Sequence, residues 1–201
     1  STISMSGDRK GRAMLFYIKR HLWLEIMVTI ALASAGLWAM HALNLPLHLT
    51  PSPFAVLLGV VGAAWLGAWT LLVQYGYRVF KGSAFAEQLT ASLAKEYASP
   101  SPAQILLGGI TAACGEEIFF RGFIQQWLGL IVASLLFMAA HFGKKDIRVV
   151  SYWSIFQGLY LGIFFAYSKN LIVPMIAHAL FDMGGMVYFR GFMLRLPNKR
   201  I

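Results

Sequence analysis

Charge is scarce in this chain, and cysteine scarcer still. Of 201 residues only 12% are charged, about half the ~25% usual for a soluble domain. The single cysteine, Cys114, excludes an intrachain disulfide and argues against a CxxC zinc or redox site. No HExxH pair is present, and neither Ser134, Ser151 nor Ser154 sits in a GxSxG context. Internal repeats and linker-like stretches are also missing, so residues 1–201 read as one domain. The basic start runs into a long apolar segment without a small-residue cleavage site, which is not the pattern of a cleavable leader.

What fills the space is apolar. Hydrophobic residues make up 58% of the chain and the mean hydropathy is +0.64. A soluble domain of this size cannot bury so much apolar surface. The composition predicts an all-α, polytopic transmembrane helical bundle.

Acidic residues are half as common as basic ones, 8 against 17. The position of the basic residues is more telling than their excess. They cluster at Arg9–Arg20, between Arg78 and Lys95, at Lys144–Arg148, and from Arg190 to the tail. Those are alternate connections between apolar runs. Only Lys169 falls in an opposite connection, and only Arg121 inside a run. The positive-inside rule then places both termini in the cytoplasm. This pattern describes membrane orientation, not a nucleic-acid surface, and no nucleic-acid partner is expected.

Six spans are expected: Leu22–Met40, Phe54–Tyr75, Pro102–Trp127, Leu128–His141, Val149–Tyr167 and Leu171–Phe189. The fourth is short for a bilayer core that takes roughly 20 helical residues. The second is rich in Gly and Ala (Gly59, Gly62, Ala63), which lets a neighbouring backbone approach closely. Tyr77–Tyr97 mixes basic and apolar residues as a cytoplasmic interfacial amphipathic helix does. Ser101-Pro102 with Gln104 predicts a capped helix start.

Six polar residues fall inside or at the ends of these spans: Glu116, Glu117, Arg121, His141, His178 and Asp182. Charges at such depth are costly and normally face a cavity or one another. Glu117 and Arg121 are four apart, share a helix face, and can pair without leaving a lone charge. Glu116 points about 100° away and is not the natural partner of that arginine. A carboxylate without such a partner, in a low-dielectric cavity, suits a general base. His178 and Asp182 also share a face, and His141 comes from a third helix. Two readings follow from these residues. Glu116, His141, His178 and Asp182 could bind a divalent metal such as Zn2+, which activates its water. Alternatively, Glu116 and His141 act on water directly, while His178 and Asp182 bind the oxyanion or orient an imidazole. The missing HExxH spacing favours the second. Cys114 reads as a small buried residue among Ala112, Ala113 and Gly115.

The motif Glu116-Glu-Ile-Phe-Phe-Arg121, with Phe137-Met-Ala-Ala-His141 and His178-Ala-Leu-Phe-Asp182, resembles the CPBP family of intramembrane proteases. These are also called the CAAX-processing and bacteriocin-immunity (Abi) family, and the resemblance covers about residues 80–190. It implies a helical core around a cavity open to the cytoplasm, with Glu116 and His141 activating the water that attacks a peptide bond. By the same resemblance His178 and Asp182 complete the site, and Glu117 and Arg121 support Glu116. The expected substrate is a membrane-tethered or hydrophobic peptide, which can be prenylated as in CaaX proteins, and the expected setting is a bacterial or archaeal cytoplasmic membrane. Asp182 departs from the asparagine of the prenyl-protein proteases; an ionised Asp cannot donate a hydrogen bond. That raises the metal reading slightly and weakens strict CaaX specificity. The competing function classes are a proton-coupled transporter, disfavoured by the absence of repeats, and a non-proteolytic immunity or scaffold protein.

Overall fold

The computed structural model describes residues 4–80, 101–142 and 148–195, and every regular element among them is helical. In chain order these are α1 (Ser4–Ala42), α2 (Pro53–Phe80), α3 (Pro102–Glu117), a π-helical segment (Ile118–Gln125), α4 (Gln126–Ala140), α5 (Arg148–Ser168) and α6 (Ile172–Arg195). Four stretches have the length and apolarity to cross a membrane: Trp23–Ala42, Pro53–Val73, Pro102–Ala140 and Ile172–Arg190. The interfacial helix expected over Tyr77–Tyr97 lies outside the described residues beyond Phe80, where α2 ends.

The start of α3 follows the capping chemistry written in the sequence. Ser101 Oγ accepts from Gln104 N at 3.3 Å, and Gln104 Oε1 accepts from Ser101 N at 2.8 Å. Pro102 fills the first turn, where a missing N–H costs nothing. Run straight, the 39 residues of Pro102–Ala140 would reach about 58 Å at ~1.5 Å per residue, nearly twice a hydrocarbon core of ~30 Å. Gly129 breaks them. Its φ of 86° and ψ of 169° are not helical, and the positive φ is readily available only to glycine. The expected division between the third and fourth spans, at Trp127 and Leu128, falls within two residues of this break.

At the centre of the bundle, α6 packs on α2, α3 and α5, while α1 lies along α3 and the π segment and α4 lies along α5. Close approach of α2 to α6 depends on small residues. A Cβ on Gly59 would stand 2.7 Å from Ile176 Cβ, and one on Gly62 would stand 3.3 Å from Ala177 Cβ of α6 and 2.8 Å from Phe164 Cε1 of α5. The turn between α5 and α6 is strapped to the α1–α2 connection. Leu171 N donates to His48 O at 2.7 Å and Asn170 Nδ2 to Thr50 O at 2.6 Å, and from the start of α4 Gln126 Nε2 donates to Pro46 O of the same connection at 3.1 Å. Outward faces carry exposed Trp23, Trp38, Trp65 and Ile131, which is how a helix meets hydrocarbon rather than water.

Candidate active site

The innermost part of this apolar bundle is polar. Glu117 is fully buried, Arg121 is 1% exposed and His178 is 3% exposed. Glu117 closes α3, Arg121 projects from the π segment that follows, and His178 comes from α6, which packs across α3. A π segment in place of an α-helix alters the rotational phase of every residue after it, and such segments occur often at functional sites.

Three groups meet at one oxygen. Arg121 Nη1–H donates to Glu117 Oε1 at 3.0 Å, the i,i+4 pair that the spacing predicts. His178 Nδ1 lies 2.8 Å from the same Oε1. An ionised carboxylate only accepts, so that contact places the proton on Nδ1. Arg121 has two further anchors: its Nη2–H donates to Gly158 O at 3.1 Å, and its guanidinium lies 4.5 Å over the Phe137 ring. A buried arginine with a carboxylate, a carbonyl and an aromatic face around it has its charge compensated on every side described.

The far side of His178 faces Asp182: Nε2 lies 3.3 Å from Oδ2, and the aspartate side chain is 22% exposed. The site therefore opens past Asp182 and closes at Glu117. Phe137 also joins the two histidines. Its ring lies 4.7 Å from that of His141 and 6.0 Å from that of His178. His141, at the end of α4, is turned back so that its Nδ1 meets Phe137 O at 2.7 Å.

Glu116 is placed differently from its neighbour. Its Oε2 is buried and makes no hydrogen bond to the protein. It lies within electrostatic range of His178, His141, Asp182 and Glu117. The six residues singled out in the sequence thus come together, with the expected Glu117–Arg121 pair in place and one contact the spacing does not give, His178 to Glu117. His178 is bonded to Glu117, so this glutamate serves the histidine as well as the arginine. Cys114 is half-buried and lies within electrostatic range of the same two residues.

Among the described residues, no three His, Cys, Asp or Glu side chains gather as ligands of one ion. Both ring nitrogens of His178 face carboxylates, and Glu117 Oε1 already takes two donors. This arrangement of donors does not fit a metal centre.

Sequence reasoning missed Phe137 as a platform for Arg121, the Gly158 carbonyl, and Gln125, whose Nε2–H donates to Gly162 O at 2.8 Å. Gln125 had a visible signal. It continues the stripe Glu117, Arg121 at the same spacing of four.

Apolar crossing helices around a buried cluster of carboxylates, histidines and an arginine define a polytopic membrane protein with an ionisable centre. Residues 98–184 match the family model of the type II CAAX prenyl endopeptidase Rce1-like proteins. Uncharacterized protein YpbD of Bacillus subtilis (strain 168) is 36% identical over 93 residues, 44% of this chain and 47% of that protein. An uncharacterized 24.3 kDa protein of Escherichia coli is 27% identical over 144 residues, 65% of each chain. The chain thus spans about half the length of the first relative and just under two thirds of the second. No solved structure matches.

Proposed function

We propose that this protein is an intramembrane endopeptidase in which Glu116, with His141, activates water for attack on a peptide bond of a membrane-associated substrate. The observation behind this reading is the contrast between the two adjacent glutamates. Glu117 is held through Oε1 by Arg121 and His178, whereas no such pair holds Glu116, whose Oε2, like Glu117 Oε2, is buried with no protein donor. A buried carboxylate oxygen needs a partner, and a water held there meets that need.

In the proposed step Glu116 takes a proton from this water, and the oxygen adds to the carbonyl carbon. The C–N bond then breaks, and the proton passes to the leaving nitrogen, so that the products are a carboxylate and an amine. His178, with Nδ1–H held by Glu117 and Nε2–H facing Asp182, is the cation at the open side that meets the developing negative charge, and Asp182 orients it. Glu117 and Arg121 keep that histidine in orientation. The opening past Asp182 suits a chain segment arriving from the membrane boundary, and the family match supports a prenylated CaaX-like peptide as the first substrate to try. In this reading α5 also crosses the bilayer, Gly129 separates two further spans, and both termini are cytoplasmic.

Purified protein in lipid nanodiscs, given a prenylated CaaX peptide and an unbiased peptide library, tests the proposal by mass spectrometry of the products. Cleavage that depends on Glu116 and His141 is the expected result. A wild-type protein that cleaves nothing in either set, or cleavage that survives Glu116→Gln, overturns it.

A further inference from the structure

Two polar side chains of the π segment reach the same neighbouring helix in the same way. Arg121 Nη2–H donates to Gly158 O at 3.1 Å, and Gln125 Nε2–H donates to Gly162 O at 2.8 Å. The donors are four residues apart, and so are the acceptors. A helical carbonyl has a second lone pair beyond its intrahelical bond, but a neighbour must come close to use it. Glycine at position 162 permits that approach by Gln125, and glycine at position 158 lets α4 pack close beside the Arg121 contact. A Cβ on Gly158 would stand 3.2 Å from Ser134 Cα. One on Gly162 would stand 2.3 Å from Leu130 Cδ1 and 2.7 Å from Gln125 Oε1. That same Oε1 is buried and has no hydrogen-bond partner. An amide with one end bonded to α5 and the other pressed against its glycine has a single orientation open to it.

We propose that Gln125, seated on the Gly158/Gly162 face of α5, is a positioning residue for the Glu117–His178 pair. The activity part of this inference rests on the protease reading; the geometric part does not. Gln125 fixes the rotation of the π segment against α5. That rotation sets where Arg121 meets Gly158 O, and so where the other guanidinium nitrogen holds Glu117 Oε1. His178 Nδ1 bonds to that oxygen. Regular α-helical bonding cannot supply the same constraint, because the segment is π-helical from Ile118 to Gln125 and such geometry is rarely adopted without outside support.

The test uses the full chain in nanodiscs with 15N-labelled histidine. Gln125→Met keeps the length of the side chain and removes both ends of its amide. The expected results are a changed 15N signal for His178 Nδ1 and a fall in kcat of about tenfold with KM nearly unchanged, as a small misplacement at a reacting centre produces. Gly162→Ala, whose Cβ meets only the flexible ends of Leu130 and Gln125, is expected to do the same. The double variant is expected to be no worse than either single change, since both act through one contact. A lowered melting temperature with the His178 signal and kcat of the wild type would make Gln125 a simple staple and overturn the proposal. If the wild type cleaves nothing, the protease reading fails while the His178 signal still decides the positioning: moved, it stands; unmoved, it falls.

Discussion

Glycine builds two contacts in this bundle, and they differ in what the missing side chain makes room for. On α2, Gly59 makes room for Ile176 of α6 and Gly62 for Phe164 of α5, both apolar side chains, and Gly62 O also accepts from Tyr160 Oη at 2.8 Å. On α5, the Gly158 and Gly162 carbonyls accept from Arg121 and Gln125 of the π segment, while the missing side chains make room for Ser134 of α4 at Gly158 and for Leu130 and the Gln125 amide at Gly162. The first contact holds helices together by dispersion and one neutral hydrogen bond, from Tyr160 Oη to Gly62 O, and carries no charge. The second holds charge, and a buried ion that loses its partner is left uncompensated. Equal-looking small-residue pairs in a membrane sequence can therefore differ in function, according to what the facing helix inserts.

The difference can be broken from the polar side first. Glu116→Gln is expected to lower peptide cleavage by roughly a thousandfold, within the range attributed to a positioned general base, while the melting temperature stays at the wild-type value. Unaltered cleavage would remove Glu116 from the chemistry. Arg121→Ala should cost about 3–5 kcal/mol of stability by leaving Glu117 buried and without its cation; chemical denaturation in mixed micelles measures this. A wild-type denaturation midpoint would mean that the pair contributes nothing to folding.

On the apolar side, Gly59→Ala is expected to cost about 1–3 kcal/mol through overpacking against Ile176 and the Val173 carbonyl. Cleavage per folded molecule should remain within roughly twofold of the wild type. A large loss of kcat in that variant would erase the distinction between the two contacts. Asp182→Asn is the finest probe. It keeps an acceptor for His178 Nε2 but removes the charge, so about 1 kcal/mol, or roughly fivefold in rate, is expected from the weaker hydrogen bond. A rate that rises instead would show that the position must donate.

The residues of the site were legible because charge in an apolar run has few explanations. Glu117 and Arg121 announced their pairing through a spacing of four, and the cap at Ser101 through its own short pattern. The break at Gly129 falls close to the division expected between the third and fourth spans, but nothing in the residue types there marks its geometry. Gln125 went unread although it extends the same stripe, because a lone amide in a helix has many bland uses.

Sequence by itself determined that the chain is helical and lipid-facing, that its ion pair is local, and which six residues are too polar for their surroundings. These are properties of composition and of periodicity along one helix. Only the tertiary structure decided that His178 bonds to Glu117 rather than to Glu116, that Arg121 rests on Phe137 and Gly158, and that Glu116 Oε2 is left without a donor. The partners come from α3, α4, α5 and α6, and a π segment shifts the phase that α-helical spacing assumes. Hydrogen bonds between helices depend on that phase and on how closely glycine lets backbones approach, and neither quantity is written in the order of residues along one helix.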